Sequence, residues 1–377
     1  MKKIVIASDA FKGSVTSLEV ADSAERAILR VFPRCDVVKL SIADGGEGTV
    51  DALIHALGGK RVACRAHDPL MENLITVEYG LLADGQTAVV EMAAASGLPL
   101  VPVERRDPTL TSTFGLGEVI GDALERGCRQ FLMGIGGSAT NDAGTGMLQA
   151  LGFRFLDGEG RELGRGGRIL GRVRTIDTSR TMPQLATARF TLACDVDNPF
   201  SGKNGAAYVF ARQKGADDTM IRALDDGLRN FAAVIRERGG MDLDTIPGSG
   251  AAGGLGGGCL ALLSTTLKPG IEMVLDALDF DRRIAGADLV ITGEGRMDRQ
   301  TLMGKAPYGV LRHASRQGIP VLAIAGAVED EDLLNTRGFQ RVRSIQHDAV
   351  TLAEAMEKER TMRNIEKTVE REVRRSD

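Results

Sequence analysis

The sequence has 377 residues and a formal net charge of −4 at pH 7, with five cysteines and four histidines. This length exceeds what one hydrophobic core usually fills, so we expect two domains, or one large domain with an insertion. The slight acidity argues against a nucleic-acid partner, which would require clustered Lys and Arg. The cysteines form no C-x-x-C pair, which favours reduced thiols in the cytoplasm over a disulfide framework.

Short β-branched segments alternate with amphipathic segments in the first part of the chain, which is the βαβ pattern of a parallel sheet. The expected elements in chain order are strand 3–7, helix 17–31, strand 36–42, helix 48–57, strands 60–66, 74–82 and 86–92, helix 115–126, strand 129–134 and helix 141–151. The three consecutive strands between 60 and 92 predict an antiparallel element.

Two late segments, 287–292 and 319–326, are apolar runs that lead into glycine loops, as expected for strands buried on both faces. They resemble the first strand more than the middle ones. We therefore predict an α/β fold of two α/β domains, with the active site in the cleft between them. Residues 1–85 and 286–377 would form a Rossmann-like or flavodoxin-like parallel sheet, and residues 86–285 a mixed α/β domain inserted in it.

The end of the chain has apolar residues at helical spacing among many charges. This pattern predicts an amphipathic helix that packs on the core or forms an oligomer contact, such as that of a homodimer. No run of about 18 apolar residues occurs, so no membrane span is expected.

The sequence has five glycine-rich segments, 8–14, 43–49, 134–146, 247–258 and 293–305, and all except 247–258 carry a carboxylate or a lysine. Glycine lets a backbone approach a ligand closely, and free amides at a helix N-terminus favour anions. Carboxylates can hold Mg²⁺ or accept a proton. Together the segments predict a site that handles phosphate, although the sequence has no P-loop motif.

The segment 134–146 is open to more than one interpretation. Its amides and the hydroxyls of Ser138 and Thr140 could cradle a phosphate, or it could be a tight turn with an Asn/Asp cap. It also matches a G-x-G-x-x-A dinucleotide fingerprint with Asp157 as the acid about 20 residues further on. Against that fingerprint, Asp142 would compete with a pyrophosphate for the positive end of the following helix. A dinucleotide-dependent oxidoreductase is therefore the alternative to a site that binds phosphate for another purpose.

Charged residues follow several of the predicted strands. Asp9 and Lys12 lie beyond the first strand, where open α/β sheets bind ligands, or they form a solvated surface pair. Asp44 and Glu47 follow the second strand and could line a cation or sugar-acid site or act as caps. Asp195 ends another apolar run and could coordinate Mg²⁺, accept a proton or form a turn.

The segments together resemble the bacterial glycerate kinase type I family. The matching segments lie in family order across almost the whole chain: 9–14, 42–49, 90–98, 134–140, 194–199, 250–254 and 290–307. Departures at 7–10 and 141–144 leave fine substrate preference open. The resemblance implies ATP-dependent phosphorylation of D-glycerate, most often at the 2-hydroxyl to give 2-phospho-D-glycerate, with 3-hydroxyl chemistry as the other regiochemistry.

With the resemblance, the motifs predict roles for individual residues and ATP and Mg²⁺ as cofactors. Lys12 and Lys305 would neutralise phosphate or carboxylate, and Asp195 or Asp298 would be the base or an Mg²⁺ ligand. The predicted substrate-binding residues are Asp9, Asp44, Glu47 and Ser96. The predicted nucleotide-binding residues are Gly134, Gly136, Gly137, Ser138, Thr140, Gly293 and Glu294.

Overall fold

The computed structural model describes residues 1–46 and 48–375. The chain divides into two compact units, a first unit of Met1–Gly58 with Pro269–Asp377 and a second unit of Gly59–Lys268. The chain opens with two strand–helix pairs: β1 Lys3–Ser8, α1 Ser17–Val31, β2 Asp36–Ser41 and α2 Thr49–Leu57.

The second unit is continuous in sequence. Its strands and helices in chain order are β3 Gly59–His67, β4 Leu74–Leu82, β5 Thr87–Glu91, α3 Ala93–Ser96, α4 Phe114–Glu125, β6 Gln130–Gly134, α5 Thr145–Ala150, β7 Arg154–Leu156, β8 Thr175–Asp177, β9 Arg189–Ala193, α6 Ala206–Phe210, α7 Asp218–Gly239, α8 Ala251–Leu262 and β10 Thr265–Lys268.

The chain then returns to the first unit. The remaining elements are α9 Gly270–Ala277, α10 Phe280–Ile284, β11 Leu289–Met297, α11 Ala306–Arg316, β12 Val321–Val328, α12 Glu331–Thr336, β13 Arg341–Ser344, α13 Leu352–Ala355 and α14 Lys358–Arg374. Among the described residues, no helix combines the length and the apolar composition that a membrane span requires.

The sheet of the first unit is parallel throughout, with the strand order β2-β1-β11-β12-β13. Counted within the unit, this is the 2-1-3-4-5 order of flavodoxin-like folds. The predicted parallel sheet of this type is therefore confirmed. Strands β11 and β12 are buried over residues 289–294 and 321–325, as the apolar runs 287–292 and 319–326 indicated.

Two helices cover one face of this sheet. Thr16 and Glu19 form a capping box that starts α1, and α1 packs against α14. Ile365 and Val369 of α14 are fully buried in the same core, which confirms core packing for this apolar face. A homodimer contact stays a prediction. The single helix expected at the end of the chain is two helices, because Glu357 adopts an extended backbone conformation between α13 and α14.

The second unit contains a six-stranded mixed sheet with the order β10-β9-β6-β5-β4-β3. Strand β4 pairs antiparallel with β3 and β5, whereas β5, β6, β9 and β10 run parallel. This confirms the antiparallel element predicted between 60 and 92. The β3–β4 hairpin belongs to the second unit because β4 hydrogen-bonds to β5. The second unit therefore runs from residue 59 to residue 268, whereas the sequence analysis placed the inserted domain at 86–285.

Candidate active site

In the first unit, predicted site residues meet at the carboxyl ends of β1 and β11. Asp9 directly follows β1, and Glu294 lies in the second half of β11. These neighbouring strands are the point where the strand order reverses, which is where open α/β sheets bind ligands. A cavity of ≈ 760 Å³ lies at this edge. Its charged lining residues include Asp9, Lys12, Asp44, Glu294, Arg296 and Lys305.

Asp9 is only 7% exposed, and its Oδ1 accepts a hydrogen bond from the Ala10 amide at 2.7 Å. Burial raises the pKa of Asp9 to about 7, and the neighbouring carboxylates of Asp44 and Glu294 act in the same direction. The Ala10 amide and the Lys12 ammonium oppose this rise. A carboxyl group in this range can gain or lose a proton at neutral pH, which is what a general base requires.

Each of the two predicted lysines lies near a carboxylate of the cavity. Lys12 Nζ is 3.4 Å from Asp44 Oδ2, and Lys305 Nζ is 3.4 Å from Glu294 Oε2. Burial raises the pKa of Glu294, although its hydrogen bond from Thr301 and the charge of Lys305 oppose the shift. The site thus combines cations with carboxylates at one sheet edge. The predicted substrate residue Glu47 lies outside the described residues.

Asp298 has a structural role in addition to the predicted one. It is the N-cap of a short 3₁₀ helix at 299–303, where its Oδ1 accepts a hydrogen bond from the Gln300 amide at 2.8 Å. Its Oδ2 lies 3.4 Å from Nε of Arg296. Its role as base or metal ligand stays a prediction.

Gly293 is required for close packing of two strands. A Cβ at this position would lie 2.3 Å from the carbonyl oxygen of Ile324 on β12. The Gly293 carbonyl also accepts hydrogen bonds from the Asp9 amide at 2.9 Å and from the Ser8 hydroxyl at 3.1 Å. Gly293 therefore fixes the position of Asp9, and its predicted contact with a nucleotide stays a prediction.

We expect Gly293→Ala to destabilise the protein by about 1–3 kcal/mol, because the added methyl group overpacks the β11–β12 contact. Urea unfolding followed by circular dichroism measures this change. The control is Gly164→Ala, since a Cβ at Gly164 meets no atom within 4 Å. If the two variants unfold at the same urea concentration, the packing role of Gly293 is contradicted.

In the second unit, the other predicted residues lie at the carboxyl ends of β5, β6 and β9. Ser96 is at the end of α3, just after β5, and its buried Oγ has no hydrogen-bond partner among the described residues. Asp195 lies just after β9 and is exposed. The predicted phosphate-binding segment starts at Gly134, the last residue of β6.

The loop between β6 and α5 has an exposed tip and a buried base. Gly136 and Gly137 are exposed, whereas Ser138 and Thr140 are buried. The segment after α3 supports the loop, because the Leu98 amide donates to the Gly137 carbonyl at 2.8 Å and the Ala139 amide donates to the Ser96 carbonyl at 2.9 Å. The exposed tip is where this backbone can meet a ligand.

Asp142 occupies the N-terminus of α5. Its carboxylate accepts hydrogen bonds from the amides of Gly144 and Gly146 and from the amide and hydroxyl of Thr113. Burial raises the pKa of Asp142, and these hydrogen bonds oppose the shift. The helix begins at Thr145 and not at 141 as predicted, and its N-cap is Gly144, which adopts a left-handed backbone conformation with a φ of +72°. The Asp142 carboxylate thus accepts hydrogen bonds from two amides at the start of this helix, and its competition with a pyrophosphate stays a prediction.

Asp157 does not have the environment that a dinucleotide fingerprint requires. It follows β7, which pairs antiparallel with β8 in a separate two-stranded sheet and not with the parallel strands around β6. Its carboxylate accepts hydrogen bonds from the amides of Glu159 and Arg161, and the Arg161 amide is the largest cause of its lowered pKa. These contacts are those of a turn.

Sequence reasoning missed Lys214, which lies against the same loop. Lys214 is 2% exposed, and its Nζ donates to Ser138 Oγ and to the Thr140 carbonyl, both at 2.7 Å. Burial lowers the pKa of Lys214 to about 7, and the charge of Asp142 opposes this shift. No local pattern marks this lysine, because its partners lie more than 70 positions away in the chain.

Comparison with known proteins identifies the family. The model of the glycerate kinase family matches residues 4–376. The chain belongs to the glycerate kinase family. It is 46% identical over 354 residues to a glycerate kinase of Bacillus cereus, which covers 94% of this chain and 93% of the relative. It is 45% identical over 354 residues to the glycerate 2-kinase of Escherichia coli, with the same two coverages.

A solved structure agrees with this assignment. The crystal structure of a candidate glycerate kinase 2 from Salmonella typhimurium matches with a TM-score of 0.89 and 43% identity, and covers 98% of this chain and 96% of that chain. The resemblance predicted from the motifs is thus confirmed. As a member of the glycerate kinase family, the protein is a kinase and not a dinucleotide-dependent oxidoreductase.

Proposed function

We propose that this glycerate kinase transfers the γ-phosphoryl group of ATP to the 2-hydroxyl of D-glycerate, giving 2-phospho-D-glycerate and ADP. The bond from the glycerate oxygen to the γ-phosphorus forms while the bond from that phosphorus to the β–γ bridging oxygen breaks. The name of the Escherichia coli relative supports the 2-hydroxyl. The observation that supports this proposal most directly is the first-unit cavity, which is lined by two lysines and five carboxylates, among them Asp9, Asp44 and Glu294.

Asp9 has the properties of the group that accepts the hydroxyl proton. It is buried at the cavity wall, and its pKa of about 7 lets it act as a base at neutral pH. This assignment differs from the sequence-based choice of Asp195 or Asp298. It follows from burial beside Asp44 and Glu294, a property that a single sequence does not contain.

Lys12 and Lys305 would supply the positive charge of the site. Phosphoryl transfer depends mainly on positioning and on neutralising the charge of the phosphoryl oxygens. An ammonium group near that charge stabilises it more strongly in a partly buried cavity than in water. Lys305 is the better placed of the two, because its side chain is 35% exposed and that of Lys12 is 63% exposed.

The exposed backbone at Gly136 and Gly137 supports the proposal that the loop after β6 binds the phosphates of the nucleotide. Asp195 or Asp298 would hold Mg²⁺, which neutralises phosphate charge when bound. The described residues contain no cluster of three or more His, Cys, Asp or Glu side chains that could hold a metal ion. Such a site still fits Mg²⁺, because this ion commonly uses one or two carboxylates together with substrate phosphates.

A reducing compartment such as the cytoplasm would suit this protein. All five cysteines are free thiols, and disulfide-free cysteines are typical of cytosolic proteins. Burial raises the pKa of Cys259, Cys64 and Cys194, so these thiols favour their unreactive protonated form.

Incubation with ATP, Mg²⁺ and D-glycerate is expected to give 2-phospho-D-glycerate, identified by phosphorus NMR against both phosphoglycerate standards. Omission of ATP or of glycerate provides the controls. A product with the phosphate on the 3-hydroxyl would contradict the regiochemistry while leaving the kinase assignment intact. No ATP-dependent loss of glycerate would contradict the proposed function.

A further inference from the structure

The buried amino group of Lys214 lies directly behind the loop that carries the proposed phosphate-binding backbone. Lysine is rarely buried without a partner, because removing an ammonium group from water is costly. Here both partners belong to one short segment, the Ser138 hydroxyl and the Thr140 carbonyl. A lysine kept in this position joins residues 138 and 140 through one nitrogen atom.

The loop has few other side-chain contacts at this point. The Thr111 hydroxyl donates to the Ala139 carbonyl at 2.8 Å. In contrast, the buried Oγ1 of Thr140 and the side-chain amide of Asn141 have no hydrogen-bond partner among the described residues. Lys214 therefore supplies two of the side-chain hydrogen bonds that hold this part of the loop.

The backbone around Thr140, which Lys214 holds in place, is tightly packed against a neighbouring element and has little room to move. Gly253 of α8 approaches so closely that a Cβ there would lie 2.1 Å from the Thr140 carbonyl oxygen. Gly253 adopts a φ of +70°, and its carbonyl accepts a hydrogen bond from the Ala143 amide at 3.0 Å. Displacement of Thr140 would therefore disturb this contact as well as the loop itself.

We propose that Lys214 is a positioning residue for the nucleoside triphosphate: it fixes the Ser138–Thr140 segment and thereby keeps the exposed backbone at Gly136 and Gly137 in the shape that binds the polyphosphate. This inference rests on the proposed function, in which that loop binds the phosphates of ATP. Because Lys214 is buried and contacts the loop at Ser138 and Thr140, we expect its effect to fall on phosphate binding and not on the acceptance of the hydroxyl proton.

The test is the variant Lys214→Met, compared with Lys203→Met, which replaces an exposed lysine of the same unit. Calorimetric titration without glycerate measures the affinities for ATP and adenosine. For Lys214→Met, we expect ATP binding to weaken about tenfold, or about 1.4 kcal/mol, while adenosine binding changes less than twofold. In turnover, KM for ATP should rise about tenfold, with KM for glycerate and kcat nearly unchanged.

Equal loss of ATP and adenosine affinity would overturn the inference, because it indicates a general defect of the fold. Unchanged ATP affinity in Lys214→Met would also overturn it. If Lys214→Met does not fold, Lys214→Gln replaces it in the same titration; its side chain is one bond too short to reach both the Ser138 hydroxyl and the Thr140 carbonyl as Nζ does, so ATP binding should weaken in the same direction. The titrations need no glycerate, so absence of glycerate phosphorylation by the unaltered protein would contradict the proposed function separately.

Discussion

Replacement of Asp9 by Asn is expected to lower kcat by about 10² to 10⁴, the usual scale for a positioned acid–base group. Asparagine keeps the size of the side chain and can accept the Ala10 hydrogen bond, but it does not accept the hydroxyl proton. Steady-state kinetics with ATP and D-glycerate measure the change. The control is Asp332→Asn, since Asp332 is an exposed carboxylate of the first unit outside the cavity.

The pH dependence of kcat gives a second measure of the same role. The base must be deprotonated, and burial raises the pKa of Asp9 to about 7. The kcat of the unaltered protein should therefore fall about tenfold per pH unit well below pH 7 and level off above it. Asp9→Asn should lack this limb. If the variant retains more than about a tenth of normal kcat, a loss below about 1.4 kcal/mol, the base is sought at Asp195 or Asp298.

Replacement of Lys305 by Met is expected to lower kcat/KM by about 10² to 10³, the scale for loss of one preorganised electrostatic group. The Lys305 ammonium lies 3.4 Å from Glu294 Oε2, so its removal also leaves the buried Glu294 carboxylate without this cation. Initial rates at saturating and at low glycerate separate kcat from KM. A fall in kcat would indicate stabilisation of the transferring phosphoryl group, and a rise in KM alone would indicate glycerate binding.

Lys367→Met provides the matched control for Lys305→Met, because Lys367 is an exposed lysine on α14 of the same unit. Lys12→Met is expected to have a smaller effect, since its ammonium is more exposed and solvent screens it more strongly. If Lys305→Met and Lys367→Met have similar values of kcat and KM, Lys305 takes no part in substrate binding or phosphoryl transfer.

The sequence was sufficient to predict a parallel sheet in the first unit and an antiparallel element between 60 and 92, because the residue patterns of these strands are local. Apolar runs such as 287–292 indicate strands buried on both faces, and the successive strands between 60 and 92 indicate antiparallel pairing. The limits of the inserted unit were not predictable in the same way. They depend on the pairing of Gly80 with Val89, which assigns the β3–β4 hairpin to one sheet, and no residue at 58 or 268 signals that pairing.

The part of the candidate site that lies at the ends of parallel strands could be predicted from the order of the strands. Asp9 was expected near a ligand because it follows a strand of a parallel sheet, whereas Glu294 was predicted as a nucleotide-binding residue only with the family resemblance. The raised pKa of Asp9 was not predictable, since it depends on burial beside charges from other strands. Lys214 was missed for a related reason. Its two acceptors belong to a loop that is distant in sequence, and a lysine between Gln213 and Gly215 has the local pattern of a surface turn.

The interruption of the first unit by residues 59–268 has a consequence for synthesis on the ribosome. Strand β1 pairs in register with β11, with Ile4 opposite Leu289, so the central strand pair of that sheet cannot form until the chain beyond 289 has emerged. The second unit is continuous and has its own core. It can complete that core while the last third of the chain is still being made, because domains generally fold as units in the order of their synthesis. During that interval β1 lacks its partner β11, and the unpaired strand edge is exposed. We expect a chaperone that covers this edge to increase the yield of folded enzyme.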